Sequence, residues 1–213
     1  ELTKDILPEN QDVAFLTGFF HDIGKLNPYY QQKFGTIDPV PGKLLRLHSI
    51  FSAILADKYI DWQKLNSENN NYLLKDVENN TQKTIANGKI KKREIISAIF
   101  GHHSSLHFGS TRYDETNINS DAWNYTNQKL NEWAPEFISC LTKKQPNLKA
   151  YISENLGKKF DYPLQDIMSR IFPQLIRSEE QFKDYKLFLD FSIIYSALLQ
   201  ADRGTFALAY KFK

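Results

Sequence analysis

An apolar run, Val13-Ala14-Phe15-Leu16-Thr17-Gly18-Phe19-Phe20, leads directly into His21-Asp22-Ile23-Gly24-Lys25, and no other stretch narrows the possible folds so far. An imidazole and a carboxylate side by side at the end of a core helix are costly to bury without compensation, and a metal ion is the obvious partner. Neighbouring residues on a helix diverge by about 100°, so His21 and Asp22 do not grip one ion as two His spaced i, i+4 do. The pair therefore calls for a site completed by other helices. Ionised Asp has two oxygens and can bridge two cations, whereas neutral His offers one nitrogen lone pair to one cation.

The rest of the chain supplies helices. Residues Glu1 to Glu9 are polar, after which Asn10 or Asp12 is a capping residue for a first helix running to about Lys25, with Gly24 marking its end. A short helical turn is expected over Tyr29 to Phe34, then a loop through Gly35, Pro39, Pro41 and Gly42. From Lys43 to about Trp62, Leu44, Leu47, Phe51, Ile54, Leu55 and Tyr59 recur at helical spacing and predict a long amphipathic helix with His48 close to its buried stripe. The Asn-rich segment Ser67 to Gly88 reads as a polar insertion. Helix resumes near Lys91, where Ile95, Ile96, Ile99 and Phe100 form an apolar face that ends in Gly101-His102-His103. After a loop over Ser104 to Asn119, Ser120 or Asp121 caps a helix carrying Trp123, Leu130 and Trp133, which Pro135 should kink or restart before Phe137 to Leu141. Further helices are expected around Leu148 to Leu156, Leu164 to Leu175 and Glu180 to Arg203, the last bringing Asp202 to its final turn before Gly204. No alternating strand series, internal repeat or interdomain linker is present, so the expected fold is all-α, a single helical bundle with polar loop insertions spanning residues 1–213.

Composition sets looser bounds. A chain of 213 residues can bury one sizeable core. Its formal charge of +2 is near balance, so nucleic-acid binding would have to rest on a local patch. The single cysteine, Cys140, excludes an intrachain disulfide and a multi-Cys zinc site, and is expected to be a small buried thiol. No apolar run approaches the roughly 20 residues needed to cross a bilayer, and the N-terminus lacks the order of a signal peptide. A cytoplasmic protein with no membrane partner is expected.

His21-Asp22, His48, His102-His103 and Asp202 all lie on or at the ends of apolar helices. Each has a plainer explanation: a hydrogen-bonded core histidine, a surface ion pair of Asp202 with Arg203, or imidazoles favoured at a helix C-terminus. Their joint occurrence points to metal. Nitrogen and oxygen ligands without thiolate favour Mn, Fe, Co or Ni, with Zn or Mg possible. Six candidate ligands exceed the needs of one tetrahedral ion, so two divalent ions about 3.5–4 Å apart, bridged by Asp22, are the more economical reading.

The order Phe20-His21-Asp22-Ile23-Gly24-Lys25, Leu47-His48-Ser49, Ile99-Phe100-Gly101-His102-His103 and Ala201-Asp202-Arg203 resembles the HD superfamily of metal-dependent phosphohydrolases. Within it, the paired histidines resemble the HD nuclease domain of the CRISPR-associated helicase-nuclease of type I interference. The resemblance implies that Asp22 bridges, that His48, His102 and His103 hold one ion, and that His21 with Asp202 holds the other. It also implies single-stranded DNA as substrate, and a helicase domain or subunit and an RNA-guided CRISPR surveillance complex as partners. Two departures stand out. A histidine on an upstream helix usually completes the first site in that family, and none precedes His21, so either the chain begins downstream of that helix or the site is altered. Ser104 stands where the family often has glycine.

A paired-ion site of this kind suits phosphodiester hydrolysis. No Ser-His-Asp arrangement or phosphate-cradling glycine loop is apparent. Lys25, just beyond the expected helix end, is either a group that contacts a substrate phosphate, in a catalytic or binding role, or a solvated lysine. Lys89, Lys91, Lys92 and Arg93 form the densest basic run, either a steering surface for a strand or a solvated helix start. Tyr29, Tyr30, His107, Phe108 and Tyr113 lie near the candidate ligands, where bases of a single strand could stack, although most are expected to be packing residues and His107 an exposed loop residue. The rivals to a nuclease are an HD phosphohydrolase acting on nucleotides or cyclic nucleotides, and a catalytically inactive HD docking domain.

Overall fold

Among the described residues one helix is buried on nearly every side, and its neighbours pack against it. The computed structural model describes residues 11–32, 48–67, 81–103, 120–153, 171, 189 and 191–202, with side chains described from residue 91 within the third segment. The helices are α1 (Gln11–Phe20), α2 (Pro28–Gln31), α3 (His48–Tyr59), α4 (Trp62–Ser67), α5 (Thr81–Gly101), α6 (Ser120–Lys144) and α7 (Pro146–Lys149), with residues 191–202 forming α8. A 3-10 turn, Ile23–Leu26, joins α1 to α2. Among the described residues there is no strand, only an isolated bridge between Ile60 and Ile152. The protein is all-α as expected.

The buried helix is α3. Every residue from His48 to Ala56 is buried, including the polar Ser49 and Ser52. Long apolar side chains, Ile50, Phe51, Ile54 and Leu55, fill the core, while Ser49, Ser52, Ala53 and Ala56 keep other sides narrow enough for neighbours to approach. The expected amphipathic stripe is thus a helix without a wet face over this span. Against it pack Val13, Leu16 and Phe20 of α1, Ile95, Ile96 and Ile99 of α5, and Trp123, whose ring stacks on Phe51 at 4.9 Å between centroids. Two ion pairs fasten α5 laterally: Lys91 Nζ lies 3.1 Å from Asp12 in α1, and Lys92 Nζ 2.5 Å from Asp57 in α3.

Boundaries differ from the expected ones for identifiable reasons. The first helix stops at Phe20 rather than Lys25, because after His21 N–H bonds Thr17 O the chain tightens into 3-10 geometry, with Lys25 N–H donating to Asp22 O. Asn27 Oδ1 then accepts from Tyr29 N at 2.9 Å and Pro28 opens α2, the usual start chemistry of a short helix. Helix α3 ends at Tyr59, where Ile60 pairs with Ile152 and Asp61 caps α4 through its side-chain bonds to Gln63 N and Lys64 N. Helix α5 begins at Thr81, ten residues before the expected Lys91, and carries Asn87 and Gly88 inside it. Helix α6 runs through Pro135 without restarting. The expected helix from Leu148 reduces to the short α7, since Tyr151 O and Ser153 N–H are taken up by Asp61 N–H and Tyr59 O. Cys140 is exposed, not buried: α6 turns Leu130, Ala134 and Ile138 inward, and a residue two places on faces out. The loops at 35–42 and 104–119, the Asn-rich residues 68–80 and the helix expected over 164–175, apart from the buried Ile171, lie outside the described residues.

Two contacts fix the ends that matter for function. Gly24 N–H donates to Ser52 Oγ at 2.8 Å, and a Cβ on Gly24 would lie 1.9 Å from His48 O and 2.6 Å from Ser52 N. The 3-10 turn therefore sits backbone against backbone on the first turns of α3. At the other end, the Tyr195 hydroxyl of α8 donates to Gly101 O at 2.7 Å, bracing the C-terminus of α5.

Gly24→Ala should lose about 3 kcal/mol or more, because the clash is with backbone that cannot step aside. Gly18, with nothing within 4 Å of its would-be Cβ, serves as the control: Gly18→Ala should gain about 0.5–1 kcal/mol from helix propensity. Denaturant titration of both variants checks the contrast, and equal stabilities would show that the turn is free to move off α3. Tyr195→Phe should keep the buried ring and lose about 1–2 kcal/mol through the missing hydrogen bond; an unchanged midpoint in the same titration would mean the brace carries no load.

Candidate metal centre

Four elements converge on Asp22. It follows α1 directly, in the turn that Gly24 holds on α3, and this places its carboxylate next to the first residue of α3, His48. His48 Nε2 lies 3.4 Å from Asp22 Oδ1. At the end of α5, His102 Nε2 lies 3.7 Å from the same oxygen, and His103 Nε2 is 2.8 Å from His48 Nε2. On the other side of the carboxylate, His21 Nε2 is 3.4 Å from Asp22 Oδ2 and 3.9 Å from Asp202 Oδ1 of α8.

Backbone carbonyls set the histidine tautomers. His21 Nδ1 lies 2.7 Å from Gly18 O and His102 Nδ1 2.6 Å from Ile99 O. A carbonyl only accepts, so Nδ1 carries a proton in each ring, and in the neutral ring Nε2 keeps its lone pair turned toward Asp22. Both bonds span three residues, the geometry available to a histidine just past the last turn of a helix. Such a bond is the outer support that metal-binding imidazoles require.

The side chains form two groups that share Asp22: Asp22, His48, His102 and His103, and His21, Asp22 and Asp202, with ligand atoms within 4.8 Å of one another in each. The polar atoms between them fit a cation. Asp22 Oδ1 and His102 Nε2 are buried and have no hydrogen-bond partner, although they face each other. An acceptor lone pair aimed at a carboxylate oxygen is unfavourable unless a positive charge lies between. Nitrogen and oxygen donors without thiolate suit a divalent ion, and the exposed Cys140 takes no part.

Electrostatics hold Asp22 and His103 in the forms that bind a cation. Burial disfavours the charged form of Asp22, but the facing side chains of His102, His21, His48 and Lys25 outweigh it and hold the carboxyl well below the usual range, so it is ionised. Burial, reinforced by the imidazoles of His102 and His48 and only partly offset by Asp202 and Asp22, pushes His103 down to about 4, leaving it neutral near pH 7. His21 moves the other way: burial opposes its charged form, yet Asp22, the Gly18 carbonyl and Asp202 together raise it.

All six residues expected as ligands, His21, Asp22, His48, His102, His103 and Asp202, thus come together. Lys25 joins them, its Nζ 2.5 Å from Asp22 Oδ2. Lys91 and Lys92 do not. They lie about 15 Å back along α5 from His102, Lys91 is buried, and both are committed to ion pairs with Asp12 and Asp57. The Nε of Arg93 is buried as well. Tyr29 is fully buried and is a packing residue, whereas Tyr30 is half-buried with its ring 5.2 Å from that of His48. Lys89 has no described side chain, and His107, Phe108 and Tyr113 lie outside the described residues. Sequence reading missed the roles of Gly24, taken as a helix end, and of Tyr195. The only signal was a glycine two residues after the His-Asp pair.

A family model described as "Cas3, HD domain" matches residues 5–158. The matched segment includes His21, Asp22, Lys25, His48, His102 and His103, and ends before Asp202. No match was found among curated proteins or among solved structures. No helix among the described residues is long and apolar enough to cross a membrane. With most of the chain matched and His/Asp clusters in place that could hold metal, the protein belongs to the Cas3 HD-domain family of metal-dependent nucleases and phosphohydrolases of CRISPR systems.

Proposed function

We propose that this protein is a two-ion phosphodiesterase that cleaves single-stranded DNA exposed by an RNA-guided CRISPR surveillance complex, the strand being delivered by a helicase domain or subunit. The observation that carries the reading is the shared carboxylate: Asp22 turns one oxygen to His48 and His102, with His103 beside them, and the other to His21, in a chain whose family is that of Cas3 HD domains. In this reading His48, His102, His103 and Asp22 would hold one ion, and His21, Asp202 and Asp22 the second. Divalent ions, when bound, supply a more acidic water and neutralise charge on a phosphoryl group.

The protein's own residues do the rest. The low pKa of His103 and the ionised state of Asp22 keep two donors available near neutral pH without a proton to expel. The Gly18 and Ile99 carbonyls hold the rings of His21 and His102 in one orientation, so the donor geometry need not be organised anew at each turnover. Lys25 is the one lysine beside the ligands among the described residues, and its ammonium is placed to meet a phosphate oxygen there. Strand contacts are assigned to Lys25 rather than to Lys91, Lys92 and Arg93, since moving either lysine to a phosphate would break a pair that holds α5 in the fold.

Manganese-loaded protein incubated separately with end-labelled single-stranded DNA and with nucleotides or cyclic nucleotides should cleave the strand, and nucleotide turnover without strand cleavage would reject the choice of substrate. Asp22→Ala should lower cleavage by on the order of a thousandfold while leaving helicity by circular dichroism close to that of the unaltered protein, because it removes the bridging group and no core side chain. Unchanged cleavage would remove Asp22 from the reaction.

A further inference from the structure

The two oxygens of Asp22 are in different situations. Oδ1, which faces His48 and His102, is buried and has no hydrogen-bond partner. Oδ2, which faces His21, is held by the ammonium of Lys25 at 2.5 Å. The grip comes from the local backbone: Lys25 N–H donates to Asp22 O within the 3-10 turn, which sets the two side chains on one side three residues apart, and Gln31 Nε2 fastens Lys25 O at 2.6 Å. Lys25 also has a second place to go. Its Nζ lies 5.7 Å from the centroid of the Tyr30 ring, within the range in which an aromatic face attracts a cation.

We propose that Lys25 is a built-in competitor for the ion held by His21, Asp22 and Asp202. An ion binding there has to take Asp22 Oδ2 from the ammonium, which moves toward the ring of Tyr30. The inference rests on the two-ion reading of the site and deepens it. An ion among His48, His102, His103 and Oδ1 has to part the His48 and His103 nitrogens but displaces no ammonium, so the two groups of ligands fill in order, the three-histidine group first. The released ammonium then stands at the edge of the site, still tethered by its backbone and available to an incoming phosphate. Lys25 is a positioning residue in this account: it acts on the second ion by way of Asp22 and links the arrival of that ion to the freeing of a cation for substrate.

Manganese binding to the full chain, followed by calorimetry and by electron paramagnetic resonance of the free ion at pH 8, tests the competition without reference to cleavage. The unaltered protein should bind two ions with distinct affinities. Lys25→Gln should tighten the weaker site by about tenfold and leave the tighter one unchanged, since the competition acts on a single oxygen. Lys25→Arg, which keeps the cation, should stay within about twofold of the unaltered protein. Circular dichroism establishes that both variants are folded. If Lys25→Gln leaves the weaker site unchanged or weakens it, or tightens both sites equally as a general loss of positive charge would, direct competition is overturned while the metal centre stands. If the unaltered protein binds one ion, the second site falls and the inference with it; if it binds none, the metal-centre reading itself is overturned.

Discussion

The contact on which the centre depends is between two stretches of backbone. Gly24 lies so close to α3 that a methyl group would enter the His48 carbonyl, and its N–H is bonded to Ser52 one turn further along the same helix. This approach holds the 3-10 turn after α1 against α3 and thereby sets Asp22 beside His48, residues from opposite sides of a chain segment that sequence reading assigns to a loop. A looser seat, with a side chain between turn and helix, would move the Asp22 carboxylate by ångströms, and the separation of ligand atoms tolerates much less than that.

Around this anchor His21, His102 and His103 come from just past helix ends rather than from helix middles. His21 follows α1, His102 and His103 follow α5, and Asp202 lies at the end of the described part of α8. Helix ends carry carbonyls without an intrahelical partner, and two of these, from Gly18 and Ile99, are used to orient histidine rings. One structural need, satisfying terminal carbonyls, and one functional need, aiming a nitrogen, are met by the same bond. The Tyr195 hydroxyl satisfies a third such carbonyl, at Gly101, and ties the helix carrying Asp202 to the helix that presents His102 and His103.

Charge is divided in a way the net value of +2 does not reveal. The basic run at the middle of α5 is spent inside the fold, Lys91 against Asp12 and Lys92 against Asp57, where breaking a partly buried pair leaves an uncompensated charge. At the centre itself the balance is reversed: the ionised carboxylate of Asp22 faces imidazoles on both sides and a lysine, and His103, neutral near pH 7, contributes a lone pair rather than a charge. Lys91 and Lys92, which in the sequence look like part of a nucleic-acid patch, are thus both engaged in pairs within the fold, and the lysine beside the His/Asp cluster is the one three residues after Asp22.

The residue types and their order determined a good deal without any coordinates. Apolar spacing at helical period specified that α1, α3, α5, α6 and α8 are helices, because a helix must bury its stripe whatever surrounds it. Histidines and aspartates at the ends of those stripes specified a metal centre for the same reason, since such groups are not left in a core uncompensated. What sequence could not decide is anything that depends on distance between elements. That α3 is enclosed on nearly all sides, that Pro135 and Gly88 sit inside continuous helices, that Cys140 faces out, and that Lys91 meets Asp12 across the fold are consequences of packing, which overrides local preference. The division of Asp22 into one unpartnered oxygen and one held by Lys25 belongs to the same category: both atoms have identical chemistry in the chain, and only the surroundings folded around them make them different.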